Sequence, residues 1–301
     1  MGKKLLITGR RRSGTTFLAN FLNAQEDFLI YRDFLRRIFS ESKKLGIKSF
    51  KNKLTEREKN VILSNLKAEY LAAGENVEDV INRDKFSDII TLFEKSLRLL
   101  NKKNKKIVGV KCTEQEHWIP DLLESGDVYI IYVYRDIRDI LLSSKNRFSD
   151  YKNITYLINI KENIERVMSI QDEKLLKIKF EDLILNPDNA ADKISEFLEV
   201  KITTDIKKAK DRGGSKFIDN SSFHDINKLF DEKACYRWKK HLNSKEVKYS
   251  EILMPNLIKK LGYELDGNYG YGEKIAAYRE FYIQKSINYM LDLVTNIRDK
   301  I

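Results

Sequence analysis

Disulfide chemistry has little to work with in this chain. Only two cysteines, Cys112 and Cys235, occur among 301 residues, far apart and in no C-x-x-C pattern. That argues against a disulfide framework or a cysteine-built zinc site and suits a reducing compartment. The three histidines are scattered, with no metal-ligand spacing, and no metal is expected. No run approaches the roughly 18–20 apolar residues of a membrane span. The longest apolar candidate, Val128 to Tyr134, has the length of a strand. Lys3 and Lys4 precede only Leu5, Leu6 and Ile7 before polar Thr8, which is no secretory leader. These absences predict a cytoplasmic protein without a transmembrane segment. No internal repeat, low-complexity linker or second domain is visible. A single domain over residues 1–301 is therefore expected, long enough for one large core.

Hydrophobic residues make up 42% and charged residues 34% of the chain, the balance of a globular protein. The formal charge is +11. A solvated lysine-rich surface would explain it, and so would an anionic partner such as a phosphorylated cofactor, a polyanion or nucleic acid. Charge alone does not choose. Lys102, Lys103, Lys105 and Lys106 have no aromatic platform beside them, so no nucleic acid is expected as a partner.

The pattern is that of an α/β fold. Lys4 to Thr8 reads as a strand, a polar loop follows, and Phe17, Leu18, Phe21 and Leu22 recur at helical spacing. Further strands are expected at Phe28–Tyr31, Ile107–Val110, Val128–Tyr134 and Leu175–Phe180, with helices beginning at Ile137 and spanning Ala190–Leu198. Strands alternating with helices imply a parallel sheet flanked by helices. Residues 34–105 read as a helical insertion. Thr55-Glu56-Arg57-Glu58 offers a capping box for a helix running to near Gly74, and Asp88 to Leu100 forms another helix. A C-terminal helical extension, 266–301, carries spaced apolar residues from Ile275 to Ile297. Packing on its own domain explains them; a homodimer contact is the alternative.

Gly9-Arg10-Arg11-Arg12-Ser13-Gly14-Thr15-Thr16 lies between the first strand and the first helix, where backbone N–H groups and a helix N-terminus cradle phosphate. The frame G-x-x-x-x-G is that of a nucleotide-binding P-loop, but Thr15 stands where its lysine belongs. That argues against an ATPase or ordinary kinase. The cation has moved upstream to Arg12.

The string Arg12-Ser13-Gly14-Thr15-Thr16-Phe17-Leu18 resembles the 5′-phosphosulfate loop of the sulfotransferases that use 3′-phosphoadenosine 5′-phosphosulfate (PAPS), in the arginine form of their carbohydrate and tyrosylprotein branches. A second match is Tyr134-Arg135-Asp136-Ile137-Arg138-Asp139-Ile140-Leu141-Leu142-Ser143. Here an arginine at a strand end is followed eight positions later by a serine, as in the family's 3′-phosphate motif. Taken alone, Arg135 could be an exposed residue paired with Asp139 along a helix. Lys179-Phe180-Glu181-Asp182-Leu183 with Pro187 is similar to a further family segment, of structural role. Tyr236-Arg237-Trp238-Lys239 resembles a late arginine–tryptophan segment that closes over the 3′-phosphate or adenine, with Tyr236 where the family has glycine.

The resemblance implies a P-loop nucleotide-kinase-like fold and transfer of a sulfuryl group from PAPS to an acceptor hydroxyl on a glycan, glycolipid or peptide. It implies that Arg11, Arg12, Ser13, Gly14, Thr15 and Thr16 hold the 5′-phosphosulfate. Arg135, Ser143, Arg237 and Trp238 would hold the 3′-phosphate end. Lys111, ending the third strand, resembles the family's second cation near the sulfonate. Asp33 lies 21 positions after Arg12, where the tyrosylprotein branch places its glutamate base. Asp33 is thus the expected base, with Glu114, Glu116 and His117 as rivals. A P-loop phosphotransferase and a basic nucleic-acid-binding protein are the competing functions.

Overall fold

The computed structural model describes residues 2–72, 86–125, 127–146, 153–204 and 231–298. The elements run in the order β1 (Lys3–Thr8), α1 (Thr15–Asn23), β2 (Phe28–Arg32), α2 (Arg36–Lys44), α3 (Glu56–Ala72), α4 (Ile89–Leu100), β3 (Ile107–Lys111), α5 (Ile119–Glu124), β4 (Val128–Tyr134) and α6 (Ile137–Lys145). They continue with α7 (Asn153–Ser169), β5 (Leu175–Lys179), α8 (Phe180–Leu185), α9 (Pro187–Leu198), α10 (Trp238–His241), α11 (Ser244–Leu253), α12 (Pro255–Lys260) and α13 (Tyr271–Arg298). The chain divides into two compact units, Met1–Tyr134 with Val167–Glu232, and Arg135–Arg166 with Lys233–Ile301.

The first unit contains a five-stranded sheet of order β2-β3-β1-β4-β5, with every pairing parallel. Helices flank it as the alternating pattern requires: α1 packs on β1 and β2, α4 on β1 and β3, α5 on β4, and α9 on β5. Near-continuous burial along β1, β3 and β4 is the signature of strands covered by helices. The chain leaves β1 for the β2 edge, returns through β3 and crosses to β4. The strand order therefore reverses beside β1, and the carboxyl ends of the strands there form the usual ligand crevice of such sheets.

The 34–105 segment carries α2, α3 and α4 joined by irregular stretches, and it supplies much of the core. Ile38, Phe39, Phe50, Leu66, Phe93 and Leu97 are buried in one cluster with Leu6, Tyr31 and Val110 of the sheet. The capping box forms: Thr55 N–H donates to Glu58 Oε2 at 2.7 Å, and Glu58 N–H donates to Thr55 Oγ1 at 3.3 Å. Asp88 caps α4, accepting from Thr91 N–H at 2.8 Å. The expected end of α3 near Gly74 lies outside the described residues.

The second unit joins α6 to α10–α13. The first turns of α13 are pinned to α11: Glu280 meets Lys245 at 3.4 Å, Tyr278 Oη donates to the Ile252 carbonyl at 3.3 Å, and Ala277 is fully buried. Ile275, Tyr282, Ile283, Ile287 and Met290 are exposed. Residues 299–301 lie outside the described set. Among the described residues no helix is long and apolar enough to cross a membrane.

Candidate active site

Each unit carries one set of candidate groups. In the first unit, β1 runs into Gly9, whose φ is 155°. A Cβ there would lie 2.2 Å from the Val133 carbonyl oxygen, so only glycine passes this close to β4. The loop tightens through Ser13 N–H donating to the Arg10 carbonyl at 3.1 Å. Gly14, at φ 99°, caps α1 with no side-chain cap, so the first N–H groups of the helix have no capping side chain. A Cβ on Gly14 would lie 2.1 Å from Phe180 Cδ2. Phe180 also stacks edge-on against Phe17, with ring centroids 6.1 Å apart. The segment around Phe180 thus buttresses the loop, a contact with no local sequence signal. Ser13 is fully buried, and its Oγ has no hydrogen-bond partner. A buried hydroxyl in that state costs free energy unless a ligand completes it. Glycines at both ends, a buried lone hydroxyl and a helix start together fit a phosphate group.

The ends of β2 and β3 meet the same end of the sheet. Arg32 pairs in register with Lys111, and Ile7 of β1 pairs with Lys111 on its other side. Asp33 follows on left-handed backbone, φ 54°, its N–H donating to the Lys111 carbonyl at 2.8 Å. Lys111 Nζ is 2.7 Å from Asp33 Oδ2; the lysine side chain is 5% exposed and the aspartate side chain 48%. The structure thus brings together the expected base and the expected second cation, 78 residues apart in sequence, as an ion pair. Only the Asp33 side of the pair is exposed.

The rival bases separate. Glu114 is engaged by two loop arginines, Arg10 Nη2 at 3.0 Å and Arg11 Nε at 2.8 Å. Glu116 is buried, and burial pushes its carboxyl up while Arg10 pulls it back. Tyr132 Oη donates to it at 3.4 Å. His117 is exposed, its ring edge-on to Trp118. Arg11, expected on the donor, has its Nε on Glu114. Arg12 is half-buried on left-handed backbone, φ 70°. Thr15 is buried at the start of α1 and Thr16 half-buried.

In the second unit, Arg135 precedes the α6 cap Asp136 and is 8% exposed. Its Nη2 donates to Asp139 Oδ2 at 3.4 Å and to the Ala234 carbonyl. The helical pair that spacing alone suggested is therefore present, but buried. Burial pushes Asp139 up, against the pull of Arg135. Asp139 also accepts the Trp238 N–H at 2.9 Å, and Trp238 Nε1 donates to Asp136 Oδ2 at 3.0 Å. Arg138, missed by sequence reasoning, lies at the centre. It binds Asp136 Oδ2 at 2.8 Å and Glu251 Oε1 at 2.5 Å, with its guanidinium carbon 3.7 Å from the Trp238 ring centroid. Burial opposes its charge, and Asp136 and then Glu251 more than restore it. Trp238 is 2% exposed, so it anchors this network and offers no open face. Arg237 Nε donates to the Lys233 carbonyl. Ser143, 6% exposed, lies along α6.

A family model described as a sulfotransferase domain matches residues 2–253. The chain belongs to the sulfotransferase family. Among solved structures it is similar to the sulfotransferase domain from the curacin biosynthetic pathway, at 16% identity over 88% of this chain and 99% of that one, with a TM-score of 0.53. It is similar also to the sulfotransferase domain of the Synechococcus PCC 7002 olefin synthase, at 13% identity over 93% and 95%, with a TM-score of 0.52. These likenesses show the fold, a parallel sheet flanked by helices, as expected. No curated protein matches the chain. The sulfotransferase moves a sulfuryl group, and the sequence resemblance stands on that point.

Proposed function

We propose that this sulfotransferase takes its sulfuryl group from PAPS and delivers it to a hydroxyl of a glycan, glycolipid or peptide in the cytoplasm. The observation that carries the donor is the loop from Gly9 to Thr16. It closes on two glycines, opens onto the start of α1 and buries one serine hydroxyl without a partner. PAPS supplies an activated sulfur whose bond to the 5′-phosphate oxygen is ready to break. Backbone N–H groups of Gly14 to Thr16, with the Ser13 hydroxyl, hold that phosphate, and Arg12 with Lys111 neutralises charge growing on the leaving oxygen and the sulfonate. Arg135 and Ser143 hold the 3′-phosphate.

Asp33 takes the acceptor's proton. The acceptor oxygen forms its bond to sulfur as the bond to the phosphate oxygen breaks, and adenosine 3′,5′-bisphosphate leaves. Lys111 orients the Asp33 carboxylate in the resting protein, and about half of the Asp33 side chain is exposed, where a hydroxyl can approach. The roles of base and cation fit two groups that one register of parallel strands sets side by side. In this reading the 1–301 chain works as a single sulfotransferase domain made of two units.

Thermal shift tests the donor directly. Adenosine 3′,5′-bisphosphate should stabilise the protein by mass action much more than ATP does. Equal or greater stabilisation by ATP would turn the reading towards a phosphotransferase.

A further inference from the structure

Three charged residues in the strand-end turns of the first unit stand on left-handed backbone: Arg12, Asp33 and Glu114, at φ 70°, 54° and 66°. Such backbone is unfavourable for a residue with a Cβ, and strain of this kind gathers at functional sites. Arg12 and Asp33 have roles in the proposed reaction. Glu114 is tied to the phosphate loop three times over. Its N–H donates to the Gly9 carbonyl at 3.0 Å. Its two carboxylate oxygens take separate arginines, Oε1 with Arg10 Nη2 at 3.0 Å and Oε2 with Arg11 Nε at 2.8 Å. Arg10 is only 6% exposed, and the buried Glu116 carboxyl also feels its charge.

We propose that Glu114 is the positioning residue of the phosphate loop: one carboxylate gathers Arg10 and Arg11 and fixes the loop in the shape that receives the donor's 5′-phosphate. The inference rests on the PAPS reading. A simple counter-charge would act the other way. Removing it would leave the loop more cationic and tighten phosphate binding. The geometry favours positioning, because each carboxylate oxygen takes its own loop arginine, at 3.0 and 2.8 Å, where a diffuse counter-charge needs no such one-to-one bonds.

Calorimetric titration of adenosine 3′,5′-bisphosphate into wild type, Glu114→Gln, Arg11→Lys and the double variant tests it. Glu114→Gln keeps the shape but puts an NH2 donor where one carboxylate oxygen accepted, so one arginine loses its partner and the other keeps only a neutral one; affinity should fall about tenfold. The KM for PAPS should rise by a similar factor while kcat stays within about twofold, the mark of lost binding common to ground and transition states. Arg11→Lys keeps the charge but loses the planar fork, so it too should weaken binding. In that background Glu114→Gln should cost less than in wild type, because the two residues act as one unit. Bisphosphate binding by Glu114→Gln as tight as wild type, or tighter, overturns the proposal. Should that variant not fold, unchanged affinity in Arg11→Lys, whose parent side chain is 40% exposed, overturns it equally. If wild type itself does not bind the bisphosphate, the donor reading falls first and this inference with it, so the two failures are told apart.

Discussion

The charge clusters of the two units are built in opposite ways. In the first, charged groups stand at strand ends on left-handed turns, in small clusters open on one side: Asp33 on Lys111, Glu114 on Arg10 and Arg11. In the second, Arg138, Asp136, Asp139 and Glu251 are buried in one closed network, in which Glu251 also accepts from the N–H groups of Asp266 and Gly267 and from Tyr269 Oη. Open pairs can exchange partners with a ligand at modest cost. A closed network of buried charges cannot lose a member without leaving another uncompensated. Substitutions in the open pairs should therefore cost function, and those in the closed network should cost folding.

The largest expected effect is on turnover. Asp33→Asn should slow sulfuryl transfer by about 10²–10⁴-fold, the usual loss on removing a general base. Its melting temperature and bisphosphate affinity should stay near wild type; normal turnover, with a loss in His117→Ala instead, would move the base. Next, Arg138→Ala should destabilise the protein by about 3–5 kcal/mol, as breaking a buried pair does. Urea melts read this, and a change below about 1 kcal/mol, the range of surface pairs, would erase the contrast between the units. Arg135→Ala sharpens the comparison, since this residue of the second unit is assigned to a ligand. It should weaken adenosine 3′,5′-bisphosphate by a factor corresponding to roughly 1.5–3 kcal/mol and spare adenosine 5′-phosphate. Equal weakening of both would leave Arg135 a structural member only.

The smallest effect concerns pH. Burial raises the Glu116 carboxyl above its ordinary 4.5. Its contribution to stability is therefore complete below that value and is lost as pH rises through the folded-state pKa. Arg10, Glu114 and Tyr132 are the groups that tune it. Glu116→Gln removes the loss, so the melting temperature of the variant relative to wild type should climb between mildly acid and neutral pH. A constant difference would show that Glu116 does not titrate there.

Much of this was legible in the sequence. Val128–Tyr134 is a strand with the expected ends, and β3 runs one residue further than Val110, to Lys111. The fifth strand stops at Lys179, because Phe180 opens α8 with Glu181 and Asp182 in its first turn. Helix α2 was invisible: its run is mostly polar, and Leu35 precedes it on left-handed backbone with no capping side chain. Asp33 and Lys111 were each legible as strand-end residues, but their ion pair was not, since no local pattern links residues 78 apart. The bonds from Glu114 to Arg10 and Arg11 were not, since no local pattern links residues so far apart. Nor was the fit of Phe180 over Gly14, which depends on how α8 packs. Arg138 escaped because an i, i+2 bond to its own helix cap looks like any surface charge in a sequence.

Transfer of label from ³⁵S-PAPS to an extract of the source cell tests the central claim most directly. Labelled product should form together with stoichiometric adenosine 3′,5′-bisphosphate, nearly abolished by Asp33→Asn and retained by folded variants of the exposed α13 face such as Met290→Ser. Absence of label transfer by the folded wild-type protein, alongside phosphate transfer from ATP, would contradict it.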